Sequence, residues 1–176
     1  MCFADYGTVG ANVIEVVNIT NGAEDDLVNA IANVGPVSIA YQVSPDFRFY
    51  QQGVYDSYNV TTNTTMCNNT SYDVNHAVVA IGLGSTADSK HNNDDNGGIP
   101  YYIVRNSWGT SWGMEGHFWM KRGENLCGVS DCASFPIVPS SLEEDGKKDY
   151  DDMLNKLKIK PLFMEEQQQS IYLRKN

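Results

Sequence analysis

The stretch VNHAVVAIG, residues 74–82, sets His76 at the mouth of an apolar, β-branched run. In PYYIVRNSWGTSWG, residues 100–113, a second such run ends in Asn106, with Trp108 close behind. An imidazole can act as base for a thiol if its second nitrogen is held in one tautomer, and a carboxamide oxygen does this without adding a full charge. Asn106 is a candidate for that group. The indole of Trp108 is a candidate cover that excludes water and so strengthens the hydrogen bond in a low local dielectric. Each residue also has a plainer reading: His76 as a satisfied group ending a strand, Asn106 as a turn residue, Trp108 as core. A metal site built from His76, His91 and His117 is a weak alternative, because their spacings fit no helix or hairpin site and His91 lies in a polar loop.

The elements that must position these groups can be read from the pattern of apolar residues. NGAEDDLVNAIANVG, residues 21–35, predicts a helix capped by Asn21 with Glu24 three positions on; Leu27, Ile31 and Val34 share one face, and Gly35 and Pro36 end it. PVSIAYQ, HAVVAIG, YYIVRN and GHFWMKR are short, β-branched or aromatic, and separated by Gly, Asn, Asp or Pro, so they predict strands. Several strands behind one helix imply an antiparallel sheet or barrel in an α+β domain. Residues 84–98 are polar and predict an exposed loop. Residues 139–176 carry 8 acids and 7 bases, so the acidity of the chain belongs to residues 1–138. Within this tail Tyr150, Met153, Leu154 and Leu157 form one helical stripe, and the rest reads as disordered.

At 176 residues with 41% hydrophobic content, the chain is long enough for one ordinary core. It has no run near the roughly 18 apolar residues of a membrane span, so no membrane partner is expected. A net charge of -10 argues against nucleic acid, which needs a basic face. The opening residues MCFADYGTVG lack the charged start and apolar stretch of a secretory leader. Sequons at Asn18, Asn59, Asn63, Asn68 and Asn69 nevertheless point to glycosylation and the secretory pathway. None of the four cysteines forms a CxxC pair, which favours disulfides over structural zinc.

VNHAVVAIG followed by PYYIVRNSWGTSWGMEGHFWMKRGENLCGVSDCASFPI resembles the C-terminal half of papain-like cysteine peptidases, within them the cathepsin H and aleurain group. The resemblance covers roughly residues 2–138, taking in the helix and GPVSIAYQVSPDFRFYQQGVY. It implies the right-hand, antiparallel β-barrel-like domain of the papain fold with one main helix, the N-terminal helical domain being absent. It assigns His76 as general base, Asn106 as its orienter, and Trp108 as aromatic cover and part of the leaving-group side of the cleft. Trp112 becomes structural. Ala40, Val74 and Asn75 match positions lining the pocket for the substrate side chain two residues before the cut, and suit a medium apolar group. The implied substrate is a polypeptide, the implied location a lysosome, vacuole or the extracellular space, and no cofactor or metal is called for.

The mechanism of such peptidases needs a thiolate beside the imidazolium. No cysteine here lies in a Cys-Gly-Ser-Cys-Trp context, and with the histidine about 130–150 residues downstream of the nucleophile, that thiol is expected roughly 55–75 residues before residue 1. The chain alone is therefore expected to be inactive, its partner being the missing N-terminal half. The resemblance pairs Cys67 with Cys127 and leaves Cys2 to a cysteine of the missing half. Cys132 matches a position that, in the cathepsin H group, holds a propeptide remnant and confers aminopeptidase character; a buried free thiol is the plainer reading of it. A catalytically dead homologue that binds peptides or inhibitors is the alternative function.

Overall fold

The computed structural model describes Ala11, Val13 and residues 15–88 and 98–138. The tail beyond residue 138, Cys2, His91 and most of the polar loop lie outside the described residues. The chain divides into two compact units, residues 18–134 and a second unit of residues 1–17 with 135–176.

The larger unit is built on a twisted sheet. In chain order its elements are α1 (Glu24–Asn33), β2 (Val37–Tyr41), β3 (Val54–Tyr55), the hairpin of β4 (Tyr58–Asn59) and β5 (Thr64–Thr65), β6 (His76–Ser85), β7 (Pro100–Arg105), β8 (His117–Lys121) and the start of β9 (Cys132–Ile137). The strand order is β9, β2, β6, β7, β8, β3. All of these pairings are antiparallel except β3 with β8, which is parallel. Of the smaller unit, the described strand segments are β1 (Glu15–Asn18) and the end of β9, which lie side by side with Val17, Phe135 and Ile137 buried.

The α+β class with one main helix matches the expectation from sequence. A barrel does not form: among the described residues β3 is only two residues long and ends the sheet, so no pairing closes it. The cap also differs. Ala23, not Asn21, precedes the helix and makes no side-chain cap bond. Asn21 instead donates through Nδ2 to the Asp131 carbonyl. Glu24 spends its carboxylate on tertiary contacts, accepting from the Tyr102 hydroxyl at 2.9 Å and from the backbone N–H groups of Gly123 and Asn125 at 2.8 and 2.7 Å. Those long-range donors outcompete a local capping box. The buried face of α1 is Leu27, Ala30 and Ile31; Val34 lies at the C-cap, half-buried.

Strand register explains where the core ends. Directly opposed residues share a face of a sheet and successive ones alternate. Val37 opposes Ala80, Ile39 opposes Val78 and Tyr41 opposes His76, so His76 is the last position of the core-facing row on β6. The other face carries Ala40, Ala77 and Cys132 in one row and Ser38, Val79 and Arg105 in the next. Val79 and Ile81 are exposed there. Beyond a bulge between Ala80 and Gly82, Gly84 opposes Tyr101. A Cβ on Gly84 would stand 2.5 Å from the Tyr101 ring, so glycine lets that ring cross the strand and stack on Trp119 at 4.4 Å.

Candidate active site

His76 lies where the hydrophobic row runs out into an open groove of about 600 Å³. Its Nε2 is 2.9 Å from Asn106 Oδ1. The backbone N–H of Ser107 donates to the same oxygen at 2.8 Å. That second donor decides the orientation of the amide, because a flipped Asn106 would set its NH₂ against an N–H group. An amide oxygen can only accept, so Nε2 carries the hydrogen and Nδ1 holds the basic lone pair. Nδ1 has no protein partner among the described residues.

Asn106 is 9% exposed and follows directly on β7. Its backbone N–H donates to the Gly116 carbonyl at 2.9 Å. Gly116 has φ +84°, in the region open to glycine at little cost, so the WGMEG turn can fold back on Asn106. The carboxamide is thus anchored by its backbone and oxygen, while buried Nδ2 has no partner among the described residues.

An aromatic block holds the cover in place. The Trp108 ring lies 5.2 Å from the His76 ring and is tilted by 37°. Behind it Phe47, fully buried, contacts Trp108, Trp112 and Phe118 at 5.6, 5.2 and 4.8 Å, mostly edge to face. Trp112 donates from Nε1 to the Arg48 carbonyl at 3.1 Å, which ties the 3₁₀ turn Pro45–Phe49 to the Trp108–Trp112 segment. Tyr41 meets the imidazole edge-on at 5.7 Å. Its hydroxyl is buried without a partner among the described residues, and burial pushes its pKa up.

The expected site residues are only partly gathered here. His76, Asn106 and Trp108 come together, and Asn75 lines the groove, its Oδ1 accepting from the Val43 N–H at 2.8 Å. Ala40 and Val74 are half-buried and do not line that groove; Ala40 belongs to the opposite sheet face with Ala77. Cys67 and Cys127 form a disulfide, while Cys132 is free and exposed, not a buried thiol. It faces away from the row containing His76, two strands over, about 10 Å from β6. The sequons scatter on the surface: Asn18, Asn63, Asn68 and Asn69 are exposed, while Asn59 is half-buried with Oδ1 accepting from Thr61 and Thr62. His117 donates from Nδ1 to the Glu115 carbonyl, 3.1 Å away, and stands opposite Arg105 in register. Phe47, Tyr41 and Gly116 escaped the reading of the sequence; the one local signal was the Pro45-Asp46 start of a turn before FRFY.

An imidazole that lines a groove beside an indole, with one nitrogen held by a carboxamide and the other without a partner among the described residues, can exchange a proton there. The model for the papain family cysteine proteases matches residues 2–137. The chain belongs to that family. It is 46% identical to the thiol protease aleurain-like of Arabidopsis thaliana over 137 residues, 78% of this chain and 34% of that protein. It is also 46% identical to pro-cathepsin H of Bos taurus, over 72% of this chain and 33% of that one. The chain thus spans about a third of the length of these family members. Among solved structures, procathepsin L 3 of Tenebrio molitor larval midgut superposes with a TM-score of 0.56 at 32% identity, covering 71% of this chain and 35% of that one. The bromelain protease of Ananas comosus, in complex with the E64 inhibitor, gives 0.59 at 26% identity, with 77% and 55% covered.

Proposed function

We propose that this chain supplies the imidazole, carboxamide and indole of a cysteine peptidase that cleaves polypeptides, the thiol coming from a separate stretch of polypeptide. The observation that carries the reading is the 2.9 Å contact between His76 Nε2 and Asn106 Oδ1, which leaves Nδ1 as the base on a ring that lines the groove. The free cysteine among the described residues, Cys132, is on the other face of the sheet and cannot serve as nucleophile from there.

In the complete enzyme the incoming thiol gives its proton to Nδ1, forming a thiolate beside an imidazolium. The thiolate attacks the peptide carbonyl, and Nδ1–H then protonates the leaving amine. Asn106 keeps Nε2–H in place through both transfers, so the ring swings no further than the proton requires. Trp108 keeps water off that hydrogen bond. Asn75, which lines the groove, forms part of the pocket for the substrate side chain two residues before the cut; the family resemblance assigns Ala40 and Val74 to that pocket as well, outside the groove beside His76. Kinship with aleurain-like and cathepsin H proteins supports a lysosome, vacuole or secreted fluid as its location, and the exposed sequons suit glycans. Cys132 is a site for a disulfide to a propeptide remnant, and with it aminopeptidase character.

The test is reconstitution. Co-expression with the thiol-bearing N-terminal half of an aleurain-like relative should yield cleavage of a fluorogenic peptide, abolished by His76→Ala, while the 176-residue chain alone cleaves none. Turnover by the chain alone, or by the His76→Ala assembly, would overturn the assignment.

A further inference from the structure

The groove beside His76 has an electrostatic character opposite to that of the chain. The protein carries a net charge of -10, yet no carboxylate lines this groove and a guanidinium, that of Arg48, does. Arg48 is exposed and makes no ion pair among the described residues. Its nearest acid in sequence is occupied: Asp46 Oδ1 accepts from the Ser44 hydroxyl at 2.5 Å and from the Tyr55 hydroxyl at 3.1 Å. Ser44 is itself buried, so the carboxylate is held toward a small polar cluster. Beside Arg48 stands Phe49, 82% exposed and also lining the groove. At the rim of the groove the exposed ring offers an apolar face to whatever lies there.

The turn that presents both residues is rigid. Pro45 opens it, Phe47 is packed in the aromatic block, and the Arg48 carbonyl is held by the Trp112 indole. The cation is therefore on a fixed platform, with one wall of the groove formed by the imidazole and its indole cover.

From these observations we infer that Arg48 and Phe49 select peptides carrying an acidic side chain next to a large apolar residue, the carboxylate pairing with the guanidinium and the apolar group lying on the Phe49 ring. The inference rests on the reading of this groove as a peptide cleft. A guanidinium prefers a carboxylate because its planar fork offers two parallel N–H donors to two oxygens. The groove is open, so a bound chain can run past Arg48, which favours a side-chain acid over a chain end.

The experiment is an NMR titration of the 176-residue chain with short peptides, blocked at both ends and differing only as Glu or Gln beside a leucine, following the His76 ring and the Arg48 Nε–H signal. The Glu peptide should bind roughly two- to five-fold more tightly at low salt, as for exposed ion pairs, and the advantage should fade as salt is added. In Arg48→Gln the two peptides should bind alike. Equal binding of Glu and Gln peptides to the native chain, or a preference that survives Arg48→Gln, would overturn the inference and leave the cleft reading standing. If a Gln peptide with a free C-terminus matches the blocked Glu peptide, the side-chain assignment fails. Failure of every peptide to perturb either signal would sink the inference together with the peptide cleft itself.

Discussion

Replacing Cys67 and Cys127 together by alanine tests how the site is held. The bridge joins residues 60 apart in sequence, and the loop it closes contains His76, Asn106 and Trp108. Closing a loop of that length in the unfolded chain is worth about 4 kcal/mol on the chain-entropy account. That is a large part of the roughly 5–15 kcal/mol by which domains are stable. Alanine is the right replacement because Cys127 is 1% exposed, and serine would bury a hydroxyl. The local consequence follows from the bonds around the bridge. Gln42 N–H donates to the Cys127 carbonyl at 2.8 Å, Asn68 N–H donates to Gln42 Oε1 at 2.5 Å, and Asn75 N–H donates to the Tyr41 carbonyl at 3.1 Å. The bridge thus pins the segment that leads into His76 against β2. Urea unfolding of the double variant and the native protein, followed by tryptophan fluorescence without reductant, should show a lower midpoint and a loss of about 4 kcal/mol. A loss below about 1 kcal/mol, or a native midpoint unchanged by added reductant, would refute the view that this crosslink carries the loop.

Three more expectations follow from named atoms. In Asn106→Ala the imidazole loses the oxygen that fixes its hydrogen on Nε2, so ¹⁵N shifts of neutral His76 should move from one tautomer to a mixture; unchanged shifts would mean another group sets the tautomer. Tyr41→Phe keeps the ring against His76 and removes a buried hydroxyl that lacks a partner among the described residues, so stability should stay level or rise by up to about 1–3 kcal/mol, and a clear loss in denaturation would reveal a partner. Alkaline melting should report the buried phenols. Burial, the largest cause, pushes the Tyr55 hydroxyl up to about 12, and burial also raises Tyr41 and Tyr102. Since the unfolded chain ionises first, near pH 10, this stability is full below pH 10 and is lost as pH rises toward about 12 for Tyr55. Tyr55→Phe should flatten that decline in a series of thermal melts, and an unaltered slope would count against it.

The sequence by itself determined the class of elements and singled out the candidate reacting groups. Short β-branched and aromatic runs bounded by Gly, Asn, Asp or Pro marked the strands, an apolar stripe marked α1, and His76, Asn106 and Trp108 were legible as candidates because each type suits one task in thiol chemistry. Those signals are local, so they survive without any knowledge of what packs on what. Tertiary structure decided the rest, because it depends on groups distant in sequence. Glu24 left its cap for donors distant in sequence, 78 to 101 residues away. Register placed His76 in the core-facing row and Cys132 and Ala40 on the reverse, a choice that one residue of slip would invert. The tautomer of His76 was settled by the Ser107 N–H, and the seat of Trp108 by Phe47 some 60 positions earlier. No pattern in a chain announces such pairings, since their energy exists only once the two surfaces meet.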